Sequence, residues 1–310
     1  MNGRTASLPA CVLLLVLLAA CTSSNRTSHP AVTASAPATA GSVTAPARSA
    51  ISGRYVALGD SFTAAPLTGR LGKPAGCLRS VQDYPSLVAT ALGRSVSLVN
   101  ASCYGATTGD LSHAQHTAAQ SNPAQLSALS TADQLVTVQL GGDDIGFGRI
   151  AATCGALSLT DPDGDPCQRH YTKGGPDQLA RAVSQAAPPV ASALAAIRAR
   201  APRARILVVG YPDILPVRGH GCWPEVTIAR GDLPYLRGVE TSLNTMLAAA
   251  ARRAGDTFVD TYTPSIGHDA CQPRGTKWVE GLIPTSAAVP MHPDTLGEQA
   301  MAREIEAALG

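Results

Sequence analysis

Four residues in a row, Gly59-Asp60-Ser61-Phe62, follow directly on a short apolar run, Tyr55-Val56-Ala57-Leu58. The pattern predicts a strand that empties into a tight turn with a serine at its tip. A serine in that setting exposes its hydroxyl and leaves its backbone N–H free, which suits a nucleophile. Gly-Asp-Ser also occurs in ordinary turns, so the motif needs partners elsewhere in the chain. Three further blocks qualify: Asn100-Ala101-Ser102-Cys103-Tyr104-Gly105-Ala106-Thr107-Thr108, Gly141-Gly142-Asp143-Asp144-Ile145, and Met291-His292-Pro293-Asp294. A serine hydroxyl requires a base to take its proton, and an imidazole can return that proton to a leaving group. A carbonyl under attack also needs preorganised donors for its developing negative charge. Glycine at position 105 lets the backbone approach closely.

The elements that must position these blocks are short apolar strands alternating with Ala- and Leu-rich helices. Strands are expected at Tyr55 to Leu58, Val96 to Val99, Gln134 to Leu140, Arg205 to Val209 and Thr257 to Val259. Helices are expected at Tyr84 to Leu92, Asp177 to Arg200, Leu233 to Ala254 and from Asp294 or Thr295 to Leu309. Pro188-Pro189 should kink or split the second of these. Thr295 and Glu298 have the spacing of a capping box, and Met301, Ile305 and Ala308 share one face of the last helix. Alternation of this kind indicates an α/β fold, a flavodoxin-like three-layer α/β/α sandwich on a five-stranded parallel sheet ordered 2-1-3-4-5. Ligands of such sheets bind beyond the C-terminal strand ends. Ser61, Gly105 and Asp143 each follow a strand, and His292 lies just before the last helix, so all four can converge there.

The order Ser, Gly, Gly-x-Asx-Asp, His with these spacings resembles the SGNH/GDSL hydrolases, most closely their exported actinobacterial lipase and esterase branch with three disulfides. The resemblance spans roughly residues 53 to 310. It implies Ser61 as nucleophile, His292 as general base, and the N–H groups of Ser61 and Gly105 as oxyanion donors. His113, His116, His170, His220 and His268 lack the helix-start setting that this family uses. Substrates implied are carboxylic esters: acylglycerols, phospholipids or acylated sugars.

Two positions depart from the family pattern. An aspartate often stands three residues before the histidine; here it is Val289, whose main-chain carbonyl is expected to accept the imidazole Nδ1–H and fix its tautomer. Asp294 is the lesser candidate, since it should cap the last helix. The family's asparagine oxyanion donor is Asp143, and an ionised carboxylate has no N–H to give. Asp143 either turns outward, or is held protonated with an O–H to donate, or leaves the enzyme weak. Rival readings are a surface lipoprotein with a degenerate hydrolase fold that binds lipid or glycan, and a carbohydrate acetylesterase. Loops from Pro66 to Cys77, Cys154 to Lys173 and Gly219 to Asp232 are expected to shape the acyl pocket.

The N-terminus carries an address. Arg4 is the single charge among residues 1–20, and Val12 to Leu18 is an apolar run too short to span a bilayer. It ends in Leu18-Ala19-Ala20-Cys21, which resembles a bacterial lipobox, so Cys21 is expected to be lipidated and to anchor the chain to a membrane. Plain secretion is the alternative. Residues 21–50 are rich in Ser, Thr, Ala and Pro, without aromatics, and read as a disordered tether. Residues 51–310 are left as one hydrolase domain.

The precursor's formal charge of +2 becomes 2 − 1 = +1 without Arg4. The absence of basic runs speaks against nucleic acid as a partner. The body holds six of the eight cysteines: Cys77, Cys103, Cys154, Cys167, Cys222 and Cys271. An even number in an exported chain implies disulfides, and of the 15 pairings the sequential one is expected. No Cys-x-x-Cys or His-x-x-x-His spacing suggests a metal. Neither a metal nor an organic cofactor is expected, and the chain should act as a monomer.

Overall fold

A computed structural model of the protein describes residues 51–73 and 75–310. The expected signal, the lipidation site at Cys21 and the tether lie outside the described residues.

The elements run β1 (Gly53–Gly59), α1 (Ser61–Ala64), α2 (Tyr84–Leu92), β2 (Val96–Asn100), β3 (Gln115–His116), β4 (Ser121–Asn122), β5 (Asp133–Gln139), α3 (Phe147–Ser158), α4 (Pro166–Thr172), α5 (Gln178–Arg200), β6 (Arg205–Val209), α6 (Leu233–Ala254), β7 (Thr257–Val259), α7 (Tyr262–Ser265) and α8 (Thr295–Leu309). Five strands form one parallel sheet in the order β2-β1-β5-β6-β7. Counting only these strands, that is the expected order 2-1-3-4-5. The remaining pair, β3 and β4, is a separate two-residue antiparallel ladder.

Period-2 geometry explains why the central strands are apolar throughout. Val56 and Leu58 of β1, Val136 and Val138 of β5, and Ile206 and Val208 of β6 point into one layer, against Val183, Leu194, Leu243 and Leu247 of α5 and α6. Tyr55, Ala57, Leu135, Leu207 and Val209 point into the other, against Val88 of α2 and Met301 and Ile305 of α8. A sheet covered on both faces has no polar face to alternate with.

Two local expectations change. Helix α5 is a single 23-residue helix with Pro188 and Pro189 inside it rather than a split one. Each proline removes a backbone donor, but Ala186, Val190 and Leu194 stay buried on the same face, and packing of that face outweighs the local loss. At the start of α8 the Thr295–Glu298 capping box does not form. Asp294 caps instead, accepting from the Leu296 and Gly297 N–H groups at 2.8 and 3.1 Å. Glu298 is fully buried and reaches across to the Tyr84 N–H at 2.7 Å, tying α8 to α2. No helix among the described residues is long and apolar enough to cross a membrane.

Candidate active site

The turn that carries Ser61 is fixed from several sides. Gly59, the last residue of β1, gives its N–H to the Gln125 side chain and accepts from it, both at 2.9 Å. A Cβ at position 59 would sit 2.0 Å from Thr63 Oγ1, so only glycine fits. Asp60 donates its N–H to Gln139 O, and its carboxylate accepts from Phe62 N at 2.9 Å and from the Tyr211 hydroxyl at 2.5 Å. Ser61 then opens α1, nearly buried, and its Oγ lies 2.7 Å from His292 Nε2.

His292 is anchored by a turn that the sequence did not disclose. His292 Nδ1 lies 2.8 Å from the carbonyl of Pro290, not of Val289. Met291 adopts φ +61°, and this left-handed residue turns the Pro290 carbonyl toward the ring. The Val289 carbonyl instead accepts the backbone N–H of His292 at 3.2 Å. With Nδ1–H donated to Pro290, the Nε2 lone pair faces Ser61 Oγ, the tautomer a general base needs. The segment is held further by Glu280 N–H to His292 O, by Asp294 N–H to Trp278 O, and by a buried Lys277–Glu280 ion pair at 2.7 Å. Phe62 packs on the imidazole with ring centroids 4.7 Å apart, Tyr104 stacks at 6.2 Å, and Phe147 meets it edge-on. Burial pushes the His292 imidazole down from 6.5 to about 4, with the Pro290 carbonyl opposing part of that shift. The other histidines go elsewhere: His268 stacks on Trp278 at 3.8 Å, and His113 bonds Gly109 O.

Cys103 N–H continues the β2–β1 ladder by bonding Gly59 O, so the segment that carries Gly105 leaves from the same end of the sheet as the Ser61 turn. Gly105 has φ +73°, a conformation that favours glycine. Neither the Ser61 nor the Gly105 N–H has an acceptor among the described residues. Both are free to serve an oxyanion. Asp143 lies past β5 in a loop whose Gly142 N–H is bound by the Tyr211 hydroxyl at 2.8 Å. Its carboxyl is pushed up to about 6 by burial and by Asp144 and Asp110.

Beside Ser61 and His292 lies an apolar hollow of about 80 Å³, walled by Phe62 and Phe147, which touch the His292 ring, and by Ile145, Met291, Ile214, Leu236 and Leu243. The loops expected to line it contribute little. Ile228 is the one lining residue from those segments; 154–173 is largely α3 and α4, and 66–77 does not reach the hollow. Helices α3 and α6 and the segment after β6 form the walls instead. The sulfurs pair sequentially, Cys77–Cys103, Cys154–Cys167 and Cys222–Cys271. The first holds the Gly105 segment, and the second staples α3 to α4.

The aromatic packing on His292, the Tyr211–Asp60 bond and the Pro290 acceptor were not foreseen. Phe62 could have been suspected from its place beside Ser61. Tyr211, 150 positions from Ser61 by number, carried no such signal.

Known proteins resemble this chain in sequence and in fold. The profile of the GDSL-like Lipase/Acylhydrolase family matches residues 57–300. Lipase 2 of Streptomyces coelicolor is 38% identical over 272 residues, 86% of this chain and 89% of that protein. Among solved structures, phospholipase A1 from Streptomyces albidoflavus superposes with a TM-score of 0.68 at 25% identity, over 83% of this chain and 99% of that one. The extracellular lipase of Streptomyces rimosus gives 0.66 at 25% identity, over 82% and 99%. With its sheet order, its three disulfides and a family match over most of its length, the chain belongs to the GDSL-like lipase/acylhydrolase family and is, at that level, a carboxylic ester hydrolase.

Proposed function

We propose that the protein cleaves carboxylic esters by a Ser61–His292 dyad through an acyl-enzyme. The observation that carries this reading is the 2.7 Å approach of Ser61 Oγ to His292 Nε2. As Oγ attacks the ester carbon, its proton passes to Nε2 and the carbonyl π pair moves onto oxygen. The N–H groups of Ser61 and Gly105 stabilise that oxyanion. Collapse breaks the bond to the alkoxide, which takes the proton from Nε2. Water then attacks the acyl carbon as its proton passes to Nε2; collapse breaks the bond to Ser61 Oγ, which takes that proton back from Nε2, and the acid leaves. Pro290 supplies orientation without the negative charge that a carboxylate would bring, and the faces of Phe62 and Tyr104 favour the transient imidazolium modestly.

The apolar hollow is assigned to the acyl group. Taking ~10–15 Å³ of such space per water-sized atom, it holds roughly five to eight heavy atoms. Short to medium acyl chains fit that volume, on an acylglycerol, a phospholipid or an acylated glycan. Three disulfides suit an oxidising, extracellular setting. Cys21 is proposed to carry a lipid that tethers the domain, through residues 21–50, at a membrane where such esters occur, and the domain to act as a monomer. A p-nitrophenyl ester series tests the reading: activity should be greatest between about four and eight acyl carbons and absent in Ser61→Ala. Equal activity in Ser61→Ala would refute the mechanism, and a sharp preference for acetate would favour a carbohydrate acetylesterase.

A further inference from the structure

We propose that Tyr211 is a positioning residue for the reaction, a single side chain that holds the Ser61 turn through its hydroxyl and the His292 ring through Phe62. This rests on the ester-hydrolase reading above.

The residue starts from a clamped backbone just past β6. Asn244 of α6 accepts the Tyr211 N–H on Oδ1 at 2.8 Å and donates Nδ2–H to the Tyr211 carbonyl at 2.9 Å. One side-chain amide thus satisfies both main-chain groups of the tyrosine. The preceding carbonyl, of Gly210, accepts from Gln139 Nε2 at 2.6 Å and from Thr261 Oγ1 at 2.7 Å. A Cβ on residue 210 would lie 2.9 Å from Asn244 Oδ1, so glycine permits this close approach to α6. Tyr211 itself is 3% exposed.

From this base the side chain reaches the site by two routes. Its hydroxyl donates to Asp60 Oδ2 at 2.5 Å, and the other oxygen of that carboxylate accepts the Phe62 N–H at 2.9 Å. Asp60 and Phe62 flank Ser61, so one phenol steadies the chain on both sides of it. The same hydroxyl accepts the Gly142 N–H at 2.8 Å, and the Gly142 carbonyl accepts the Phe147 N–H at the start of α3. The ring takes the second route. It meets Phe62 edge-on with centroids 5.0 Å apart, and Phe62 packs on the imidazole at 4.7 Å.

Tyr211 therefore touches neither reacting atom but sets the relative place of both. Proton transfer needs Ser61 Oγ and His292 Nε2 held at hydrogen-bond distance, here 2.7 Å. A misplacement of about 1 Å costs on the order of 10²-fold in rate. Loss of the phenolic O–H leaves Asp60 Oδ2 and the Gly142 N–H without their partner and frees the turn to shift.

The test is kcat and KM for p-nitrophenyl butyrate, with Tm, in the wild type, Ser61→Ala, Tyr211→Phe, Asp60→Asn, the Tyr211→Phe/Asp60→Asn double variant and Tyr55→Phe. Tyr211→Phe keeps the ring against Phe62 and removes the hydroxyl alone. Tyr55→Phe is the control: it deletes an equally buried hydroxyl, bonded to Thr137 at 2.9 Å in the layer on the other face of the sheet. Tyr211→Phe should lower kcat by about 10–10²-fold with KM changed by less than about threefold. Tyr55→Phe should lower Tm and hold kcat within about twofold of the wild type. Asp60→Asn leaves one acceptor oxygen for two donors, Phe62 N–H and Tyr211 O–H, and should also lower kcat. The double variant should be at most about twofold slower than the slower single one, since both break the same tie. Should Tyr211→Phe not fold, Asp60→Asn reads that tie from its other end. An unchanged kcat in the folded variants, a rise in KM alone, an equal kcat loss in Tyr55→Phe, or losses that multiply in the double variant overturns the role of Tyr211 alone. Absence of any Ser61-dependent turnover overturns the ester-hydrolase reading and this role with it.

Discussion

Titrating His292 should cost the fold measurable stability. The imidazole is 5% exposed, and burial holds it at about 4 in the folded chain against 6.5 for an ordinary histidine. Above pH 6.5 the ring is neutral in both states and contributes no pH dependence. Between 6.5 and 4 the unfolded chain takes up a proton that the folded chain refuses. Stability therefore falls as pH falls through this window and levels off below it. At about 1.36 kcal/mol per unit, the difference between pH 7 and pH 4 is about 3 kcal/mol. Asp83, Asp143 and Asp213 act in the opposite sense, since their folded values are raised and acid favours the folded state. The measurement is consequently a difference: urea unfolding at pH 7 and pH 4 of the wild type and of His292→Gln, which cannot titrate. The wild type should lose about 3 kcal/mol more than the variant, or about 6–12 °C in Tm at about 2–4 °C per kcal/mol. A differential below about 1 kcal/mol would mean that water reaches the ring and charges it freely, and the argument from burial would be wrong.

Three other perturbations follow from the same structure. Lys277→Met leaves Glu280 as an unpaired buried charge under the His292 segment, so stability should fall by about 3–5 kcal/mol in thermal unfolding; a loss under 1 kcal/mol would show the pair to be solvated. Gly105→Ala forces a side chain into φ +73° and tilts the N–H proposed as an oxyanion donor, so kcat should drop by about 10²–10³-fold with KM little changed. Removing Cys222–Cys271, which closes a separation of 49 residues, should destabilise by about 4 kcal/mol, against about 3 for Cys154–Cys167 at 13. Denaturation of the paired alanine variants under oxidising conditions checks the order.

What the sequence disclosed and what it hid divide along a physical line. The five strands were legible because a sheet buried on both faces demands unbroken apolar runs such as Tyr55 to Leu58 and Arg205 to Val209. That Ser61 and His292 meet was legible because the order of the motif blocks, which resembles the family's, sets one after a strand end and the other just before the last helix. Long-range orientation was hidden. Whether Pro290 or Val289 presents its carbonyl to His292 depends on one positive φ at Met291, which methionine does not advertise. Helices α3 and α4 escaped because their shape is set by a disulfide and by packing more than by local periodicity. Asp294 took the cap from Thr295 because Glu298 was drawn away to the Tyr84 N–H, a contact 214 residues distant in sequence. The walls of the hollow were misjudged for a related reason. Helix faces and the segment after β6 come together there only once the sheet has formed.

The central claim is that Ser61 is a nucleophile activated by His292. Covalent labelling by a fluorophosphonate, followed by peptide mass spectrometry, tests it most directly. The account predicts a single adduct on Ser61, formed rapidly at pH 7 and lost in His292→Ala while that variant remains folded. Labelling that is absent in the wild type, or that proceeds unchanged in His292→Ala, would contradict it.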